Sequence, residues 1–508
     1  MKRSSSFLFA VLVWSLLLLR FGYRYGTGDQ VELLPYTLFL HHAGLYAHDF
    51  FLQGLHASVP NERTVMAHLL LPFVNHLELT ALLLQFLSTI ILVLGLEKLA
   101  GRFIKNRYLA WLSVLIALIP LNDYTLGNVE LYSECFQASG LAVAVVVWAI
   151  QFFLDRKYLV ASALMSAATF VQLLEGLDVM LVLSAVLFIA ALRKEVPVKT
   201  FAAFISVYAF SAGIYLVMIF MQKNGASVLS NEELFKILFE FRHPHHFIFA
   251  SFPKIKVLMF LLLTIAAIPF YAHRSPKLLQ FIIIGFAGLV LYAVAMDGFH
   301  HVLLGNFQFY KITQWMKFFG VVAVIGLAEE IGKAKLDWLH RIKLEKAIIV
   351  TGIFVSWLVM WRFHDSLPYQ VPFQLFEMKE RDDAIAIAEL IRTNTPTDAV
   401  FIQPFDNTEL KFYAQRSSYV EFKANVRNKL FVKEWADRIE EVFHVNGTMQ
   451  MKGFALQQKA DDHFYHLSAS DLQLLKQKGV THLLTRKEFP SSAGSLILSN
   501  KTYAVYQL

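Results

Sequence analysis

The densest group of chemically able side chains is Glu240-Phe-Arg242-His243-Pro244-His245-His246, with three imidazoles and a guanidinium inside five residues. Such a group suits a phosphate or pyrophosphate, held by charge-assisted hydrogen bonds. It lacks the helical i, i+4 histidine pair of a zinc site. Histidines resting at headgroup depth are the plainer reading. Asp29 and Glu32 in Gly26-Thr-Gly28-Asp29-Gln-Val-Glu32 are three apart and share one face of a helical turn. They are a carboxylate pair able to take a proton, or simply an N-cap with a favourable first-turn acid. Asp49 follows in the same segment, Glu130 and Glu134 stand i, i+4 further on, and Lys311 lies near Asp297, His300 and His301. Glu130 and Glu134 read equally well as solvated carboxylates at the end of a span. Glu175 and Asp178 interrupt an apolar stretch, and ionisable groups at such depth usually face a bundle interior or an aqueous cavity.

The elements that must position these residues are hydrophobic. Of 508 residues 56% are hydrophobic and only 17% charged, with a mean hydropathy of +0.50. That excess over a soluble domain calls for a nonaqueous solvent. Apolar runs fall at 7–22, 76–96, 108–121, 136–154, 159–174, 177–192, 201–221, 257–272, 278–296, 317–332 and 347–362. Each is of a length to cross a hydrocarbon core roughly 30 Å thick. The turn between the fifth and sixth is expected at Glu175–Asp178. The fold class expected is an all-α polytopic membrane bundle of about eleven spanning helices over residues 1–362, followed by a soluble α/β domain over 363–508.

Lys and Arg give the orientation. Lys2 and Arg3 precede the first run, and the loops then assigned to the cytoplasm carry about 18 basic residues in roughly 53 positions. The opposite loops carry about 9 in roughly 115. The N-terminus is therefore expected inside and the C-terminal domain outside. The net charge of +7 is a topology signal rather than a nucleic-acid surface. The first run is an anchor, since no small-residue cleavage site follows it. Most of the 18 histidines, and the acids above, fall on the outer face. Cys135 is the only cysteine, which excludes an internal disulfide and a cysteine-based metal site.

The last segment alternates. An amphipathic helix over 377–393, strands at 399–403 and 418–422, and a helix opened by a Ser470–Gln473 capping box and closed at Gly479 are expected. Strands at 480–485 and 503–508 complete a partly parallel sheet. No Walker, GxGxxG or nucleophile-elbow motif occurs in it.

The layout resembles that of GT-C-type membrane glycosyltransferases. The likeness rests on an inward N-terminus, a long and partly helical first outer loop with an acid just past the first span, and an outer C-terminal domain. The chain departs from the oligosaccharyltransferase pattern in having no WWDYG-like element. Phe241–His246 and Asn394-Thr-Pro396-Thr-Asp398-Ala are similar to stretches in bacterial membrane proteins with such a C-terminal domain, for which a bacterial inner membrane is the expected location. The resemblance implies transfer of a sugar from a polyprenyl-phosphate-linked donor to a glycan or protein acceptor, with Asp29 at the reaction centre. Arg242, His243, His245, His246 and Lys311 would then face the leaving phosphate. Glu32, Asp49 and Glu130 would bind substrate, the last two by positioning the acceptor or by holding a divalent cation, Mg or Mn, through oxygen. Two other classes fit the same residues. A transporter or flippase would use the cavity without bond chemistry, although no internal repeat is visible. A noncatalytic assembly protein would merely present its outer domain. Reporter fusions at Leu508 and Ala334 are expected to report opposite sides of the membrane; matching signals overturn the orientation.

Overall fold

A computed structural model describes residues 2–42, 44–222, 228–332, 345–363, 383–405, 407 and 410–508. The expected basic residues Lys333, Lys335, Arg341 and Lys343, and the start of the helix expected from Glu377, lie outside the described residues.

Among the described residues seven helices are long and apolar enough to cross a membrane: Ser4–Phe21, Thr64–Ala100, Leu173–Leu192, Val198–Met221, Lys254–Arg274, Pro276–Gly298 and Phe309–Ile331. Four shorter apolar helices are Arg107–Leu118, Ala138–Leu154, Tyr158–Val171 and Ile349–Arg362. Together they take up the eleven runs. The chain is a polytopic membrane bundle followed by a small C-terminal α/β part. Leu79, Leu83, Leu87 and Ile91 are all exposed at i, i+4 spacing along one helix face. In water that stripe would be a liability; against lipid tails it is the expected outer surface.

The residues fall into two compact units, each made of three stretches of chain. The first comprises Met1–Arg24, Leu79–Leu216 and His245–Phe376, and the second Tyr25–Glu78, Val217–Pro244 and Glu377–Leu508.

In the first unit the fifth and sixth runs are separate helices, but the break is not where the acids suggest. It falls at Gln172, an extended residue with φ −145° and ψ 110°. Glu175 and Asp178 lie inside the next helix and are buried. A charged residue reads as a water-exposed turn only when no partner awaits it in the bundle, and for Glu175 Lys311 and Gln314 do. The tight reversal depends on Gly176. A Cβ there would come within 2.5 Å of Thr169 N and 2.7 Å of Met165 O. Small residues at such crossings let membrane helices approach closely.

In the second unit the first loop folds as helices Gln30–His41, Phe50–Ala57 and Thr64–Leu70. Its C-terminal stretch carries five strands: β1 (Val400–Ile402), β2 (Ser417–Ser418), β3 (His482–Arg486), β4 (Ser495–Ser499) and β5 (Tyr503–Gln507). The order is β2-β1-β3-β5-β4, with β1 parallel to both neighbours and β5 antiparallel to both of its own. The core behind it joins Ile387, Ala388 and Ile391 of helix Asp383–Asn394 to Phe401, Leu484 and Val505. The strand expected over 418–422 shrinks to two residues, because after Tyr419, whose N–H still bonds Phe401 O at 2.8 Å, the chain leaves the β1 ladder. The capping box is Ser468 with Asp471, not Ser470 with Gln473. A charged N3 side chain makes the stronger reciprocal bond and favours a helix N-terminus more than a neutral amide does.

Gly176→Ala is expected to destabilise the detergent-solubilised protein by about 1–3 kcal/mol. Gly140→Ala, whose Cβ would meet nothing within 4 Å, is expected to be neutral or mildly stabilising. Thermal unfolding compares them, and equal Tm values remove the close-packing account of the Gln172 reversal.

Candidate functional site

The approach to the first loop is built on two glycines. Gly26 and Gly28 adopt φ +80° and +59°, a region open to glycine at no steric cost. A Cβ on Gly26 would lie 2.7 Å from the Tyr413 hydroxyl and 2.8 Å from the Phe412 ring. The Tyr413 hydroxyl donates to Tyr25 O at 2.6 Å, Gly26 N donates to Gln30 Oε1 at 2.8 Å, and the Lys423 ammonium donates to Gly28 O. This turn delivers Asp29, half-buried, to the start of helix Gln30–His41. Asp29 does not cap it. Its φ and ψ are −79° and −6°, and its carboxylate makes no capping hydrogen bond.

Glu32, one turn on, is 4% exposed and pairs with Arg63, which also bonds Glu62 at 2.7 Å. Burial pushes the Arg63 guanidinium down to about 10; nearby Arg427 adds to this, while Asp29 opposes it. Arg242 is buried beside the same group. Burial, followed by the positive fields of Arg427 and Arg63, holds it well below the usual arginine range, and Glu62 works against them. Three guanidinium groups from residues 63, 242 and 427 therefore share one electrostatic neighbourhood in which Asp29 takes part.

Their bonds differ. Arg242 donates to Phe422 O at 3.2 Å and to Lys423 O, approaches His243 Nδ1 at 2.6 Å, and lies 5.8 Å over the Trp435 ring. Most of its donors are thus taken by its own unit. Arg63 and Arg427 instead line a cavity of about 40 Å³ with Asn61, Glu62, Asn425 and Asn428. The Asn425 amide is buried there, with no hydrogen bond to its nitrogen or oxygen among the described residues. An unbonded buried amide costs about 1–3 kcal/mol, which makes it a natural partner for an incoming ligand. Sequence reasoning missed Arg63, Asn425 and Arg427. The polar runs Asn61-Glu-Arg63 and Asn425-Val-Arg427-Asn428 were the available signal, but no spacing rule joins positions so far apart.

The remaining expected residues are placed as follows. Asp49 is wholly buried and caps helix Phe50–Ala57 through Leu52 N at 2.9 Å. Its other oxygen accepts from Ser418 N at 2.9 Å, and Lys411, itself paired with Glu421, stands 3.6 Å away. His243 belongs to the second unit; His245 and His246 belong to the first. In the first unit the rings of His245 and His246 lie 4.2 Å apart, and His246 Nδ1 donates to Gly127 O at 2.7 Å. Lys311 donates to Glu175 at 2.6 Å, so its charge is answered inside the bundle. Glu130 accepts from Asn122 Nδ2 at 3.3 Å. Burial, reinforced by Glu134 and Asp123 and opposed by Lys317, pushes its carboxyl up to about 8. No three His, Cys, Asp or Glu side chains gather as a metal site among the described residues.

Comparison with known proteins adds three findings. A domain of unknown function (DUF6798) matches residues 382–442, a stretch that opens with helix Asp383–Asn394 and reaches nearly to the end of helix Lys429–Phe443. No curated protein matches the chain. Among solved structures, the chain is similar to ArnT from Cupriavidus metallidurans bound to undecaprenyl phosphate, at 13% identity and a TM-score of 0.51, over 98% of this chain and 96% of that one. That likeness spans the bundle and the C-terminal part together, and it gives the chain a GT-C-type fold.

Proposed function

We propose that this protein is a membrane glycosyltransferase that moves a sugar from a polyprenyl-phosphate-linked donor to an acceptor hydroxyl at the outer face. One observation carries the reading. Asp29, delivered by two left-handed glycines, is not used as a helix cap and stands in the field of Arg63. The fold it sits on is shared with a protein whose structure holds undecaprenyl phosphate.

In this reaction the acceptor oxygen attacks the anomeric carbon and its proton passes to Asp29 as general base. The bond from that carbon to the phosphate oxygen breaks, and its electron pair leaves with the polyprenyl phosphate. Negative charge grows on the leaving oxygen, so fixed positive groups lower the barrier. Arg63, Arg427 and the Asn425 amide are suited to bind that phosphate, while Arg242 and His243 brace the backbone at Phe422 and Lys423. Glu32 holds Arg63 in place. In the first unit, burial holds Glu130 largely protonated at neutral pH. His245, His246 and Lys311 steady the loops of their own unit, and Asp49 fixes the fold of the other.

Asp29→Asn keeps size and removes the base. Transfer of labelled sugar from polyprenyl phosphate in proteoliposomes is expected to fall about 10²–10⁴-fold. Thermal stability should barely change, since no cap is lost. Full activity defeats the catalytic role, and lipid-independent solute flux in the same vesicles favours a transporter.

Glu130 also predicts a pH effect on stability. Its folded-state value lies near 8 against 4.5 for the free group, so the native state holds the proton more tightly than the unfolded chain. Its contribution is fully present below about 4.5 and is lost as pH rises through about 8. The Tm of Glu130→Gln should therefore fall less than that of the wild type between about pH 5 and 8. Parallel profiles would remove the assigned shift.

A further inference from the structure

The first unit contains a second, larger cavity remote in sequence from every group used above. It has a volume of about 580 Å³ and is lined by Arg102, Lys105, Arg156, Arg274 and Lys277, with Glu195 the only acid. The turn at Ser275 separates the spans Lys254–Arg274 and Pro276–Gly298, so the cavity opens at the ends of membrane helices, on the face that the Lys and Arg bias assigns to the cytoplasm. Phe103, Leu154 and Pro276 complete it with apolar surface.

The five cations are not equally engaged. Arg102 pairs with Asp155 and bonds Gln151 at 3.1 Å; Arg274 pairs with Glu330; Lys277 donates to Tyr158 at 2.7 Å. The Lys105 ammonium and the Arg156 guanidinium have no ion pair among the described residues. Arg156 also occupies an awkward backbone. It sits at φ +61° just past helix Ala138–Leu154, with Arg156 N bonded to Phe153 O and Lys157 N to Phe152 O. This is the helix-ending motif in which glycine is the easy choice. An arginine held there gives up backbone comfort while aiming no ion pair at any neighbour.

We propose that this cavity binds the headgroup phosphate of an anionic glycerophospholipid, with Lys105 and Arg156 as its free cations and Phe103 and Leu154 beside the first acyl carbons. Basic pockets between spanning helices on the cytoplasmic side suit such headgroups. The alternative is that these charges only set topology and favour helix C-termini. The proposal does not depend on the transfer reaction.

The full-length protein is placed in nanodiscs of phosphatidylcholine alone or with phosphatidylglycerol, and retained phospholipid and Tm are measured. The wild type is expected to retain phosphatidylglycerol through detergent exchange and to unfold at a higher temperature in its presence. Lys105→Gln with Arg156→Gln should weaken retention about thirtyfold, at roughly fivefold per cation. Arg193→Gln with Lys199→Gln removes two charges from the same face outside the cavity and should change nothing. Arg156→Gly separates the two accounts by sign: it should raise Tm in lipid-free detergent, where the backbone relaxes, yet weaken phosphatidylglycerol retention. Equal Tm with and without phosphatidylglycerol, equal losses in both double variants, or full retention by Arg156→Gly overturns the site. Equal protection by inorganic phosphate alone overturns the lipid in favour of a free anion.

Discussion

A charge carried into hydrocarbon must be answered by a group from the same protein, because the bilayer core supplies no water to do it. The buried pair of Lys311 and Glu175, completed by Gln314 at 2.6 Å, is where this bundle meets that demand. It explains why Glu175 lies within a helix instead of at a wet turn, although Asp178 in the same helix has no hydrogen bond to either oxygen among the described residues. One helix, Thr313–Ile331, extends the same logic outward. Its Lys317 donates to Leu121 O at 2.7 Å and Asn122 O at 2.8 Å. Asn122 in turn holds Tyr132 O at 2.8 Å and Glu130 at 3.3 Å. The bundle thus positions Glu130 through Asn122, while the Lys317 charge partly offsets the burial that raises its carboxyl.

The second unit solves its own charge problem differently. Asp49, Lys411 and Glu421 form a buried cluster whose bonds also cap a helix and fix the start of β2. Arg242 satisfies itself on backbone carbonyls. Removing one member of such a group leaves a buried charge unanswered, which costs far more than the intact pair contributes. In this second unit Asp29, which caps no helix, and the Asn425 amide, which has no hydrogen bond among the described residues, are left for a role outside that cluster. That contrast, rather than residue type, separates chemistry from architecture here.

Hydrophobic run length made the spans legible from sequence, since crossing a bilayer imposes a length that no soluble helix must obey. Glycines at 26 and 28 likewise announced a special backbone. The helix Lys429–Phe443 was equally open to reading, with Val432, Trp435, Ile439 and Val442 on its buried face, but it lies in polar sequence and was passed over. The strand β4 carries no signal, being half-exposed at the sheet edge with a bulge between Leu496 and Leu498. The convergence of Arg63, Arg242 and Arg427 is a tertiary fact; nothing local to any of the three foretells it. The histidine cluster spans a boundary between units. Sequence neighbours on either side of Pro244 belong to different units, His243 to the second and His245 and His246 to the first.

The distribution of basic residues then takes on a finer meaning than their count. Positive charge retained on the translocated side opposes the usual bias. Several on the face assigned outside are answered, Arg63 by Glu32 and Glu62, Lys311 by Glu175, Lys411 by Asp49 and Glu421, Arg242 by carbonyls, while Arg24, Lys254 and Lys256 have no ion pair among the described residues. On the opposite face Arg102 and Arg274 are paired with Asp155 and Glu330, while Lys105 and Arg156 have no ion pair among the described residues. Cations with an internal partner add little to the net field that a membrane surface feels, whereas open ones add all of theirs. Among the cations lining the Ser275 cavity, the two without an ion pair add most to the local field, which is why the proposed headgroup site rests on them rather than on Arg102 or Arg274.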